Sequence, residues 1–197
     1  LSFSPKRAAI APDTPLDPGH NWLKLGARSP DLSAVATADG STADLHRYPD
    51  KTGHEDFVSL VEAPATGPGP WLGWTAVIRE AEDDLIFVLK DPSVLPLTML
   101  WFSNGGRQFA PWNGRHKGVL GIEDGIAAGS AGLTASRRPN VISAEGVATV
   151  LELAEGREHI IRHVIGAIPR PSGWTRVASI EVTGTGLTIR EASGETL

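Results

Sequence analysis

The stretch Trp101-Phe-Ser-Asn-Gly105-Gly-Arg-Gln-Phe-Ala110-Pro-Trp-Asn-Gly-Arg115-His-Lys-Gly-Val-Leu120-Gly-Ile-Glu-Asp-Gly125 decides how the chain is read. Leu97 to Phe102 is an apolar run of strand length, and Gly105-Gly106 turns the chain out of it. A second apolar run, Gly118 to Ile122, ends on the carboxylate of Glu123. Alternation along that strand puts Val119, Gly121 and Glu123 on one face and Leu120 and Ile122 on the other. Glycine at 121 is expected to leave open space beside the Glu123 carboxylate, as close approach of a ligand demands. An uncharged run is costly at a bare sheet edge, so residues 118 to 123 are expected to form an interior strand. Between the two strands, the loop gathers Arg107, Trp112, Arg115 and His116, and loops on a rigid sheet are where binding chemistry sits. Residues 104–117 are therefore expected to rim a concave pocket, with Trp112 and at least one of Arg107 and Arg115 facing it.

Working outward, the same period-2 logic finds strands at Phe57 to Ala63, Trp71 to Arg79, Leu85 to Lys90, Val141 to Ser143, Ala148 to Leu153, His159 to Ile168, Thr175 to Thr183 and Gly186 to Glu191. Pro64 to Pro70 reads as a hinge, and Thr183-Gly184-Thr185-Gly186 as the turn of a terminal hairpin. Pro12, Pro15, Pro18 and Pro30 break any helix in residues 1–56, which read as irregular. About nine strands without an amphipathic helix predict an all-β sandwich. The expected organisation is one domain over 1–197: an irregular region at 1–56, core strands with the site loop at 57–168, and a C-terminal hairpin at 169–197.

Bulk composition narrows the classes of function. A hydrophobic content of 41% is ordinary for a globular chain, and 197 residues can bury a substantial core. The net charge of −5 argues against nucleic acid and against anionic membranes as partners. No apolar run reaches the ~18 residues of a spanning helix. A cytoplasmic protein is the expectation, with its oligomeric state open. The chain starts at Leu1 without methionine, which suits part of a longer protein. Without cysteine there is neither a disulfide nor a thiolate metal site. Asp44, His46, Asp50, His54, Glu55 and Asp56 mix ligand types without tight ligand spacing, and His159 and His163 stand ~13 Å apart on a strand, so no metal or cofactor is expected.

The run Trp101…Gly105-Gly106…Pro111-Trp112…Gly118-Val-Leu-Gly-Ile-Glu123, with Glu155-Gly156 before another long strand, resembles the C-terminal part of the galactose mutarotase-like (aldose 1-epimerase) superfamily. The resemblance spans roughly residues 16 to 168. It implies a β-supersandwich that is N-terminally incomplete here, since the family's first part, with an Asn-Arg pair and another histidine, has no counterpart. It also implies a small-molecule sugar as ligand, Glu123 as catalytic base and His20, in Pro18-Gly-His-Asn-Trp22, as acid. Asn21-Trp22 replaces the aromatic pair that follows the family's histidine, and Gly125 stands where a glutamine is common.

Mutarotation needs a base for the anomeric hydroxyl proton and an acid for the ring oxygen, each contributing ~10²–10⁴-fold. A glutamate and a histidine suffice without a metal. Each residue has a second reading. Glu123 is either the base or a strand-end carboxylate paired with Arg115 or Lys117, and His20 is either the acid or a turn residue bonded to local backbone. Arg107 and Arg115 either grip a sugar diol with forked donors or are solvated loop charges. Trp112 either stacks on a sugar or packs under the loop, and His116 belongs either to the site or to its rim. The rival to an aldose 1-epimerase is a non-catalytic carbohydrate-binding or structural β-sandwich.

Overall fold

The computed structural model describes residues 1–66, 71–184 and 186–197. It is mostly antiparallel sheet, 39% strand and 6% helix, in agreement with the all-β expectation. In chain order the strands are β1 (Ser2–Phe3), β2 (Lys6–Ile10), β3 (Arg28–Ser29), β4 (Val35–Ala36), β5 (Thr42–Ala43), β6 (His54–Glu62) and β7 (Gly73–Arg79). They continue as β8 (Asp84–Lys90), β9 (Leu97–Asn104), β10 (Val119–Gly125), β11 (His163–Pro169), β12 (Val177–Thr183) and β13 (Gly186–Glu191). A short helix, α1, spans Gly132–Ser136. Positions 67–70 of the expected hinge and Thr185 of the hairpin turn lie outside the described residues.

The chain divides into two compact units. One comprises Leu1–Pro5, Pro64–Ser93 and Ile160–Leu197; the other comprises Lys6–Ala63 and Val94–His159. In the first unit β1, β7, β8 and β11 form a sheet in that order, and β12 pairs with β13 as the expected hairpin. Trp74, Leu85, Phe87, Leu89, Trp174, Val177, Ile180 and Ile189 make its core. Gly166 faces Phe87 across the ladder, where the ring occupies the space that a Cβ would need.

The second unit is built on the five-stranded order β10-β9-β6-β2-β3. All nine residues of β6 are buried, as a central strand covered on both faces requires. Its register with β9 pairs Glu55 with Ser103, Phe57 with Trp101 and Ser59 with Met99, and these residues share one face. Away from the strand ends, that face is covered by a cluster of Ala8, Ile10, Phe57, Val61, Leu97, Met99 and Ile142. His54, Asp56, Val58 and Leu60 take the opposite face, beside Leu100 and Phe102.

Four sequence expectations about strands change. The segment 118–123 is not interior: β10 pairs with β9 and forms the edge of the sheet. Consecutive charges at Glu123 and Asp124 blunt that edge, and Asp124 accepts a 2.7 Å hydrogen bond from Thr98. Val141 to Ser143 is not a strand, because Asn140 Oδ1 accepts from the backbone N–H of both Ile142 and Ser143 and draws the chain into a turn. Ala148 to Leu153 belongs to no strand, and the expected strand from His159 begins at His163.

Candidate functional site

The site develops at one end of the second unit's sheet, on the face that carries Glu55, Trp101 and Gly121. Two glycines make it: Gly105 has φ of +83°, which glycine alone takes without strain, and a Cβ on Gly106 would lie 2.5 Å from the carbonyl carbon of His54. The close approach lets Gly106 donate its N–H to His54 O at 3.1 Å, while Gly105 donates to His116 O at 2.7 Å. Residues 107–115 close on themselves through Asn113 N to Phe109 O, Gly114 N to Arg107 O and Arg115 N to Trp112 O. The sequence 104–117 is thereby folded back over the end of β9.

At the bottom lies Glu55, fully buried. Its Oε1 accepts from Trp101 Nε1 at 2.7 Å and faces Arg107 Nε at 3.2 Å, and its Oε2 accepts from Ser103 Oγ at 2.9 Å. A buried carboxylate demands this set of donors, since an uncompensated one would cost several kcal/mol. The Arg107 guanidinium carbon sits 5.2 Å from the Trp101 ring centre and 4.8 Å from that of Trp112, so one cation lies against two indoles. His116 rests against the same pair, with ring centres 5.5 Å from Trp101 and 5.1 Å from Trp112.

Ser103 Oγ also lies 2.6 Å from His116 Nδ1. A hydroxyl has one proton to give. With that proton on Glu55, the Ser103 oxygen must accept, so His116 Nδ1 carries a hydrogen and donates it. The chain Glu55–Ser103–His116 thus fixes the ring and leaves Nε2 as the nitrogen available for proton exchange. Tyr48 closes the back of the arrangement, its hydroxyl 3.1 Å from the carbonyl oxygens of both Ser103 and Val119. Burial pushes the Tyr48 phenol up to about 12, with the Glu55 charge adding to the rise.

Glu123 stands on the same face, two places along β10 from Gly121, which pairs with Trp101. A Cβ at Gly121 would meet Trp101 Cβ at 3.1 Å, Trp101 Cε3 at 3.3 Å and Glu123 Oε1 at 3.4 Å. The space that glycine frees is therefore bounded by the indole, rather than open as the sequence suggested. Carboxylate and indole flank one patch of bare backbone. Glu123 is exposed, and among the described residues it has no ion pair with Arg115 or Lys117.

Of the residues singled out in the sequence, Arg107, Trp112 and His116 come together, and Glu123 lies on the same sheet face. Arg115 is exposed and turns back on its own loop, donating to Pro111 O at 3.0 Å. His20 does not join them. Its carbonyl accepts from Glu55 N, on the side of β6 away from β9, while Glu123 is in register with Met99 and Ser59. That register separates Glu123 and His20 by about 13 Å along the strands and about 14 Å across them. His20 Nδ1 instead lies 3.4 Å from Asp17 Oδ2. His20, which the resemblance makes the acid, is thus remote from Glu123.

Glu55, Ser103 and Trp101 join the candidate site without being singled out as site residues in the sequence, where the strand is read from Phe57. The available signal was the alternation His54-Glu55-Asp56-Phe57, which puts Glu55 on the face of Phe57. The opposite face holds a second polar group, in which His54 Nδ1 lies 2.7 Å from Asp56 Oδ2 and Asp56 accepts from the N–H groups of Trp22 and Leu23 at 2.8–3.0 Å. No group of three or more potential metal ligands occurs among the described residues. A depression on the His20 side of β6, lined by Pro12, Leu16, Asn21, Glu55, Asp56 and Phe57, holds only about 10 Å³, near the space of one water. No helix among the described residues is long and apolar enough to cross a membrane. The chain matches no family model, no curated protein and no solved structure.

Proposed function

We propose that this chain is a mutarotase-like carbohydrate-binding protein of the supersandwich class, using Glu123 as base and His116 as acid to interconvert the anomers of an aldose. The observation that carries the reading is the half-buried Trp101 indole at the end of the sheet, with the exposed Glu123 carboxylate on the same face and an oriented imidazole against the ring. Sugars bind by laying their C–H faces on such rings, and Arg107 adds forked donors for hydroxyls. Glu123 takes the proton of the anomeric hydroxyl as His116, entering the step as the imidazolium with Nδ1–H held by Ser103, gives its Nε2 proton to the ring oxygen. The C1–O5 bond breaks, the aldehyde rotates about C1–C2, and reclosure returns both protons. Ser103 and Glu55 act as positioning residues, since they hold the ring by Nδ1–H and leave Nε2 outside those bonds.

The test is polarimetry on freshly dissolved α-D-glucose and α-D-galactose, together with a titration of tryptophan fluorescence. Glu123→Gln keeps shape and hydrogen-bonding reach but cannot take the proton, so the rate is expected to fall ~10²-fold with affinity within a few-fold. Trp112→Ala is expected to abolish saturable quenching. A protein that binds sugars without exceeding the spontaneous rate is the non-catalytic binding module; one that binds none of a broad sugar panel overturns the reading.

A further inference from the structure

The rim of this site has a charge that the proposed chemistry does not use. Residues 104–117 hold three of the chain's 18 Lys and Arg, as well as His116, and none of its 23 Asp and Glu. Arg107 is balanced by Glu55. Arg115 and Lys117 are exposed, and among the described residues neither faces a carboxylate. Arg115 is held beside Trp112 by its bonds to Pro111 O and Trp112 O. The Lys117 stem crosses Gly105, within 3.1–3.3 Å of where a Cβ would be. Two cations without a carboxylate partner among the described residues therefore stand on the loop that carries Trp112, in a protein whose net charge is −5.

From this placement we infer that the ligand is an acidic monosaccharide, whose carboxylate or phosphate lies against Arg115 and Lys117 while its ring rests on Trp101 and Trp112. A neutral hexose leaves both cations unused. A free anion uses them but leaves the indoles bare, so the two features together select a sugar bearing an acid. A planar guanidinium matches either oxyanion in two-pronged fashion, and the ammonium of Lys117 adds a point charge. The inference rests on the carbohydrate reading above, but it fails separately.

Tryptophan fluorescence titrations with glucose, glucuronate, glucose 6-phosphate and inorganic phosphate test it at low and at moderate salt. One of the acidic sugars is expected to bind at least tenfold more tightly than glucose, and which of them does so identifies the acid as carboxylate or phosphate. The preference should shrink as salt rises, because rim charges are screened. In Arg115→Gln/Lys117→Gln, the ratio of acidic to neutral affinity should fall to within about twofold of unity. Equal affinities for glucose and both acidic sugars, a ratio that survives the double variant, or inorganic phosphate binding as tightly as the sugars would each overturn the inference. Glucose binding without an acidic preference leaves the carbohydrate reading standing, whereas the absence of any sugar binding removes both.

Discussion

The two faces of β6 at its first three residues make opposite use of the same kind of side chain. Glu55 faces outward toward the folded-back loop and shares its oxygens among Trp101, Ser103 and Arg107. His54 and Asp56 face inward, and there Asp56 binds His54 and the backbone of residues 22 and 23. Both faces bury a carboxylate, and both satisfy it. The difference lies in the donors. On the inner face they include two backbone N–H groups, which nothing else can satisfy once buried, so that carboxylate pins a loop. On the outer face they are side chains with functions of their own, and satisfying Glu55 also orients an imidazole and an arginine. A buried charge becomes part of a site when its partners still have atoms to offer a ligand.

The sharpest way to break the comparison is Asp56→Ala. It orphans the N–H groups of Trp22 and Leu23 and the bonded nitrogen of His54, and a loss of about 3–5 kcal/mol is expected in urea unfolding. A loss below ~1 kcal/mol would deny the pinning role. Glu55→Ala should cost less, about 2–3 kcal/mol, because Arg107 is 19% exposed and can recover water. Its signature should be a change in the His116 ring signals by NMR, which Asp56→Ala leaves nearly in place. Equal effects of both variants on His116 would erase the distinction between a pin and a site.

Tyr48→Phe gives the smallest effect and probes the seam behind both groups. The folded chain holds the phenol proton up to about 12, while the unfolded chain releases it near ~10. This contribution is therefore fully present below pH ~10 and lost as pH rises toward ~12. The variant should lose about 1 kcal/mol near neutral pH, from the hydroxyl's bond to Ser103 O or Val119 O, and show a flatter decline above pH ~10. Unfolding midpoints at about pH 8 and about pH 11 check both parts.

Much of this was legible in the chain. Alternation and turn residues located the strands that became β6 to β10 and the terminal hairpin, because the two-residue side-chain period is a local property. Composition marked the loop at 104–117, and Arg107, Trp112 and His116 met there. The strands expected at 141–143 and 148–153 failed because local pattern does not say whether a partner strand exists, and at 140–143 the Asn140 side chain offered the backbone a competing set of bonds. The edge position of β10 was equally out of reach, since an apolar run does not reveal how many neighbours it has.

The sequence by itself determined the all-β class and the excess of cations in the loop at 104–117, both of which follow from residue type and short spacing. Only tertiary structure decided which residues share the site. Glu55 and Ser103 are 48 positions apart and become neighbours through the register of β6 and β9, and the same register removes His20 from Glu123. Strand register is set by the sum of many long-range side-chain and backbone pairings, and no single stretch of the chain contains that information.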